Sequence, residues 1–491
     1  MRKLFITLLG AAAIGAGALG AADALPSRPE QIQFQPLEFQ PPAAEQFRRQ
    51  LRSGVPVYLA PSDEFPLVSI TFSFKGGAYL EPANKVGLAN MTGAMIRRGG
   101  TSSTPAAQLD EQFDYLAAVA TTGAGGLQAS ASLNALKSNL DEAFALFMDM
   151  LRNPGFEEDK VRVYKDEVIE ALKQRNDDAG PILDREWAAL MYGQDHFSAR
   201  NPTLATIESI TIDDLRAFHA KVFQPGNLII AVTGDFNEAD MLARLEKALE
   251  GWAAGERMPD PPAPSASVAP GVYRVEKDIP QGKVFIGMRG VTRDDPDYFP
   301  LLVMNDVLGG GGFTSRITKR VRSDEGLAYS AGSAMIMPVY YPGEYRAYFQ
   351  SKNRTVALAT KIIMEEIERI RTEPVGEKEL ETSKNSFIET FPRTFESKAG
   401  MLNVFVSDEW TGRDPSYWRT YRDNIRAVTP EDVRRVAEKR LNRDNLAIMV
   451  VGKWSEIEGG DLEGRARMAE FFDGSTMQIP LKDPLTLEPM R

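Results

Sequence analysis

The sequence predicts an α+β protein of two duplicated halves, each an antiparallel sheet covered by helices on one side, and three observations carry that prediction. The first is an internal repeat: Thr211, Asp214, Asn227 and Gly234 recur as Thr429, Asp432, Asn445 and Gly452, each pair 218 positions apart with no gap between them. The second is alternation. Val57-Tyr58 precedes an apolar alternation from Val68 to Phe74, and Val272-Tyr273 precedes another from Val284 to Met288, the pattern of strands with one face on a core. The third is the stretch Pro259-Asp260-Pro261-Pro262-Ala263-Pro264-Ser265-Ala266-Ser267, whose missing amide donors and fixed backbone angles exclude helix and central strand and mark a semi-extended linker.

Taken in order, residues 1–24 read as a cleavable export signal. Arg2 and Lys3 precede an apolar run from Leu4 to Leu19, and Ala22-Asp23-Ala24 supplies small residues before a cut after Ala24. The run is broken by Gly10, Gly15, Gly17 and Gly20 and lies near the lower length for spanning a bilayer. The expectation is a periplasmic protein with no stable membrane insertion after cleavage. Residues 25–45 form an N-terminal extension, 46–255 the first half, 256–271 the linker, 272–455 the second half and 456–491 a C-terminal extension. In the extension, Gly459-Gly460 and Pro480 to Met490 suggest loose structure.

Within the halves, Thr211 and Thr429 each open a helix, because a threonine hydroxyl can accept from first-turn amides and the acids behind it suit the positive helix end. Asn227 to Asp235 and Asn445 to Lys453 then read as buried strands with their turns. Glu157 to Arg175 and Val356 to Arg371 read as helices that follow the strand pairs.

Composition removes several functions. A chain of 491 residues exceeds one small core. Its net charge of −11 argues against nucleic-acid binding, which needs clustered Lys and Arg. With no cysteine there is no disulfide framework, thiolate metal site, thiol nucleophile or lipid-modified cysteine.

The segments Gly76-Gly77-Ala78-Tyr79-Leu80-Glu81-Pro82, Gly87-Leu88-Ala89-Asn90-Met91-Thr92-Gly93-Ala94-Met95 and Gly99-Gly100-Thr101 resemble the first half of the pitrilysin/insulinase family of zinc metallopeptidases. The resemblance implies two family-type halves that close as a clamshell on dimerisation. In active members a helix after Gly-Leu-Ala carries H-x-x-E-H. Two His at i and i+4 share a helix face and hold Zn²⁺, and the Glu takes a proton from the metal-bound water. A downstream Glu completes the ligand set and leaves the fourth position open.

In this chain that register falls on Asn90, Gly93 and Ala94, so both His ligands and the base are absent. Glu167 is the remnant of the downstream ligand, and its plain reading is a solvated or salt-bridged helix residue. The two histidines, His196 and His219, read as packing or surface residues. No zinc or other cofactor is expected in this chain.

The second half carries Leu308-Gly309-Gly310-Gly311-Gly312-Phe313-Thr314-Ser315-Arg316 and Arg322-Ser323-Asp324-Glu325-Gly326-Leu327-Ala328-Tyr329. By itself the glycine run is a flexible loop, without the Gly-Lys-Ser/Thr ending of a phosphate cradle. Arg322 and Tyr329 alone would be a surface cation and a half-buried aromatic. The segment is similar to the family's C-terminal signature, in which an Arg and a Tyr face the zinc site of the opposite half or subunit and hold the substrate carbonyl. The resemblance therefore implies a complementing role for Arg322 and Tyr329, with substrate contact at Gly310, Gly311 and Gly312. It also implies an edge-strand contact around Gly125, Gly126 and Leu127.

Some bacterial members divide these parts between two polypeptides. That pattern implies a paralogous, zinc-bearing H-x-x-E-H subunit as partner in a heterodimer and a peptide or unfolded polypeptide as substrate. The competing readings are an inactive peptide-binding or assembly scaffold and, less favoured, a protease using other ligands.

Overall fold

The computed structural model describes residue 28 and residues 38–490. The expected leader and its cut after Ala24 lie outside the described residues. Contacts divide the chain into two units, Met1–Gln40 and Pro41–Arg491.

Two six-stranded sheets dominate the second unit. The first sheet contains β1 (Arg48–Gln50), β2 (Pro56–Pro61), β3 (Leu67–Lys75), β4 (Val119–Gly125), β5 (Gln128–Leu136) and β6 (Leu228–Gly234), in the order β1-β2-β6-β3-β5-β4. The second contains β7 (Gly271–Glu276), β8 (Gln281–Arg289), β9 (Ala328–Ile336), β10 (Glu344–Lys352), β11 (Ala447–Gly452) and β12 (Thr476–Gln478), in the order β12-β7-β11-β8-β10-β9. Five strands of each sheet correspond in order and direction. Each sheet is antiparallel from its inserted strand outward, while β2–β6 and β7–β11 run parallel. The parallel pair is the consequence of a strand returning after a long helical excursion rather than through a hairpin.

The repeat is physical as well as sequential. Helices Ile212–Val222 and Pro430–Arg440 occupy equivalent positions, and each is opened by a reciprocal capping box. Thr211 Oγ1 accepts from Asp214 N at 3.2 Å, and Thr429 Oγ1 accepts from Asp432 N at 3.1 Å. The expected helices lie at Glu158–Lys173 and Val356–Thr372.

Each sheet packs one face on helices of its own half, giving two cores centred on Phe72, Phe74 and Phe147 and on Ile286, Phe349 and Ile363. The inner part of the other face is covered by a helix from the opposite half. Ala179–Tyr192 leaves the first half and buries Ile182, Leu183 and Trp187 against Tyr273, Val275 and Met449. Its counterpart Lys398–Thr411 packs on β2 and β6, placing Phe405 beside Phe47 and Tyr58. Both crossings have a polar anchor. Trp187 Nε1 donates to buried Glu344 at 2.7 Å, while Glu409 accepts from Tyr58 and Arg48 at 2.5 to 3.0 Å. The halves are thus interlocked; β3-β5-β4 keep the exposed part of the first face and β10-β9 that of the second, where Trp187 covers Phe285 and Gly287 of β8.

Residues 252–270 between the halves are irregular, as the prolines require, and are pinned. Tyr79 Oη donates to Pro259 O at 2.8 Å, Lys75 pairs with Asp260, and His196 Nε2 lies 3.0 Å from Pro262 O. The C-terminal extension corrects the expectation of loose structure. β12 adds a parallel edge strand to β7, and the tail returns to the first half, where Lys482 pairs with Glu186 at 2.8 Å and Leu485 O accepts from Leu204 N. Its apolar residues show no regular period, yet Ile457, Met468 and Phe471 are buried in the second core, so side-chain burial and backbone pairing together order it.

Candidate functional site

Helix Leu88–Arg98 carries the degenerate zinc register. Gly87 enters it at φ +105°, a left-handed conformation that suits glycine. The buried Glu81 carboxylate caps the first turn, accepting from Ala89 N at 2.7 Å and Gly87 N at 3.3 Å. Burial pushes the Glu81 carboxyl up, against those two amide bonds.

The three register positions do not fit a metal. Asn90 is exposed with a neutral carboxamide, and Ala94 has no donor atom. Gly93 lies flush against β4: a Cβ there would fall 2.5 Å from the Gly123 carbonyl carbon and closer still to Ala124 N. Thr122 Oγ1 donates to Gly93 O at 2.6 Å, and Arg97 Nε donates to Ala120 O at 3.2 Å. The helix has closed onto the edge strand, and backbone fills the volume a catalytic side chain needs.

Glu167 stands beside this helix, but its carboxylate is engaged. Arg98 donates to both oxygens at 2.8 and 2.9 Å and holds the exposed carboxyl below its ordinary range. Arg98 lies one turn beyond Ala94, so Glu167 reaches the flank of the old ligand face and finds a guanidinium. Among the described residues, no three His, Cys, Asp or Glu side chains converge to hold a metal.

Both histidines are packed. His219 Nε2 donates to Leu151 O at 2.8 Å with its ring stacked on Phe223. His196 sits among Tyr192, Phe197 and Tyr341. Burial lowers both imidazoles from their ordinary value.

Of the segment Gly125-Gly126-Leu127, Gly125 ends the edge strand β4, while Gly126 and Leu127 form a turn rather than a strand. It is the β4–β5 hairpin end, with Gly126 at φ +50° and Leu127 O accepting from Gly76 N at 3.1 Å. The edge belongs to β4, and Arg97 occupies part of it. Gly126, in the left-handed region, permits the two-residue turn Gly126-Leu127 between Gly125 and Gln128.

The second half contains the more open arrangement. The glycine run corrects the flexible-loop expectation: Asp306–Gly310 forms a π-helical turn, and Gly312–Thr314 a 3₁₀ turn. Gly309 is buried against β9, where a Cβ would lie 2.5 Å from Ser333 N. The glycine there permits close packing. Gly310 and Gly312 are exposed, and Gly312 adopts φ +60°.

This turn brings Phe313 over Arg322, whose guanidinium carbon lies 4.5 Å from the Phe313 ring centre and 4.6 Å from that of Tyr329. Tyr329 is 84% exposed and Phe313 69% exposed. A bulge accounts for Tyr329. Between the pairs Phe349↔Ala331 and Ser351↔Ala328, both Tyr329 and Ser330 face Gln350, which turns two successive residues outward. Arg322 forms no ion pair or hydrogen bond among the described residues. Its N–H groups remain available while two rings limit its motion. The structure thus brings Arg322 and Tyr329 together beside Gly310 to Gly312. Phe313 was missed in the sequence because its contact is made through the glycine turn.

The fold and this site define a peptidase-type chain with its own metal position closed. The chain matches two profiles: "Insulinase (Peptidase family M16)" over residues 57–200 and "Peptidase M16 inactive domain" over residues 209–387. It belongs to the insulinase family, M16. Among relatives, it is 26% identical over 410 residues to the non-peptidase homolog YmxG of Helicobacter pylori, covering 82% of this chain and 92% of that one. It is also 26% identical over 336 residues to an uncharacterized zinc protease of Streptomyces coelicolor, covering 67% and 72%.

In fold it is similar to a peptidase M16 inactive domain from Pseudomonas fluorescens, with TM-score 0.73, 24% identity, and coverage of 82% and 97%. It is also similar to the periplasmic protease PqqL of Escherichia coli, with TM-score 0.66, 17% identity, and coverage of 82% and 45%.

Proposed function

We propose that this chain is the non-catalytic subunit of a heterodimeric zinc endopeptidase in the periplasm. In this reading it contributes Arg322 and Tyr329 to substrate bound at the zinc site of an H-x-x-E-H partner. The observation that carries the reading is the contrast between the halves: the metal register is closed by Gly93 on β4, whereas the Arg322–Tyr329 pair is open and unpaired. A decayed enzyme has no physical reason to keep a guanidinium free between two exposed rings.

Water adding to a peptide carbonyl places negative charge on its oxygen, and a guanidinium and a phenol are directional donors for that charge. The export proposal rests on the N-terminal leader pattern. Among the described residues no helix is long and apolar enough to cross a membrane. The name of the Helicobacter relative, a non-peptidase homolog, accords with a chain that cleaves nothing alone.

Affinity capture of the full chain from its native periplasm tests the reading. The expected result is co-purification of an H-x-x-E-H chain with one zinc per pair. Recovery of self-copies alone, free of zinc, would support the scaffold reading instead.

A further inference from the structure

The duplicated sheets can be compared strand for strand, and their exposed faces differ in charge. On the first, the rows across β3, β5 and β4 are Ser69-Asn134-Val119, Thr71-Ser132-Thr121 and Ser73-Ser130-Gly123. Asn134 donates to Ser69 and Thr121 bonds Ser132, each at 2.7 Å. These three rows contain no charge, and the next on the same face, Lys75-Gln128-Gly125, carries Lys75 paired with Asp260. On the second, the corresponding rows across β8, β10 and β9 are Lys283-Gln350-Tyr329/Ser330, Phe285-Tyr348-Gly332 and Gly287-Arg346-Ala334, with Lys352 at the end of β10.

The side chains of Lys283, Lys352 and Tyr348 form no ion pair or hydrogen bond among the described residues. Glu344 on this face is buried beneath Trp187, bonded by it, and 3.3 Å from Arg346, and Asp184 of the crossing helix is near enough to act on its charge. Burial pushes the Glu344 carboxyl up. Lys283 and Lys352 are thus unpaired cations of this face in a chain of net charge −11.

The geometry suits an extended chain. Lys283 and Tyr329 lie two strands apart, roughly 9–10 Å, and Arg346 to Lys352 spans about 20 Å of β10. β9 itself is not free for strand addition throughout, since Thr318 Oγ1 donates to Ala331 O at 2.8 Å. We infer that the exposed β10-β9 face, with the Lys283 end of β8, is a docking surface for an extended peptide segment rich in Asp and Glu. The cations Lys283 and Lys352 meet its carboxylates, and Tyr348 packs beside its backbone. This deepens the peptidase-subunit reading by naming its substrate class and rests on it for the meaning of the face. The charge contrast between equivalent positions carries it, because Lys283 and Lys352 stand where the first sheet has Ser69 and Leu136.

The test is made on the full chain alone, with no zinc partner, so its outcome is independent of whether cleavage can be reconstituted. Fluorescence anisotropy is measured with an acidic peptide of about eight residues, long enough to run the face at ~3.4 Å per residue, and with its Lys-substituted counterpart. The acidic peptide should bind at least about tenfold more tightly and weaken with salt. The Lys283→Gln/Lys352→Gln variant should lose about tenfold, with circular dichroism unchanged. Equal affinity for both peptides, no binding of either, or full retention of affinity in the variant overturns the inference. Equal binding of an oligothymidylate of matched charge also overturns it, since that outcome reduces the face to a general anion attractor.

Discussion

Replacing Gly93 by alanine separates a closed metal register from one that has merely lost its ligands. Glycine inside a helix costs roughly 1 kcal/mol relative to alanine, so an unobstructed site would be stabilised by Gly93→Ala. Here the added Cβ falls 2.5 Å from the Gly123 carbonyl carbon and nearer to Ala124 N. Both obstacles are strand backbone, which cannot swing away as a side chain tip can. Overpacking of this kind costs about 1–3 kcal/mol, and backbone obstruction places it at the upper end. The clash outweighs the propensity gain, and the net loss is about 1–2 kcal/mol.

Urea denaturation should show a lower midpoint at unchanged slope. The triple substitution Asn90→His/Gly93→Glu/Ala94→His should be less stable again, because it also places a carboxylate in that buried contact, and should bind no stoichiometric zinc. A triple variant as stable as the parent that takes up one zinc would refute the reasoning.

Other perturbations read other parts of the molecule. Trp187→Phe leaves the buried Glu344 carboxyl without its indole donor at 2.7 Å and should cost about 1–3 kcal/mol, read by calorimetry. Gly309→Ala, with its Cβ 2.5 Å from Ser333 N, should also lower the melting temperature, by the equivalent of about 1–3 kcal/mol. Chelation by EDTA should leave the melting temperature of the isolated chain unchanged, and a fall would reveal a structural metal. Burial depresses the His219 imidazole. Above its unfolded value of about 6.5 neither state takes the proton, and below it the unfolded chain gains a proton that the buried ring resists. Stability should therefore fall as pH drops from about 7.5 to about 5.5, and less steeply in His219→Gln.

The duplication was legible because its markers are backbone devices. Thr211 and Thr429 must cap helices wherever those helices begin, and both do. The strands at Val68 to Phe74 and Val284 to Met288 were legible through their alternation. The crossing helices were not, since nothing in Ala179–Tyr192 says that Trp187 is buried against the sheet of the other half. That pairing is long-range and leaves no local period.

At the site, Asn90, Gly93 and Ala94 announced the missing ligands, but the sequence could not reveal that the helix had closed onto β4. Glu167 was readable as a solvated or salt-bridged helix residue, and the structure supplies the partner the sequence could not name, Arg98. The glycine run misled because glycine marks both flexibility and close packing. Gly309 against Ser333 is the second case, and it sets the turn that carries Phe313 over Arg322. The bulge at Tyr329–Ser330 depends on the register with Gln350, so the sequence alone placed Tyr329 as half-buried.

The central claim is that Arg322 acts across an interface on a partner's reaction. The most direct measurement is the turnover number of a reconstituted pair, formed with an H-x-x-E-H relative from the same organism, for the parent chain and for Arg322→Ala, with assembly followed by sedimentation. The expected result is no cleavage by this chain alone, cleavage by the pair, and a fall of about 10²–10³ in turnover for Arg322→Ala with assembly intact. Equal turnover of the parent and Arg322→Ala pairs would contradict the claim.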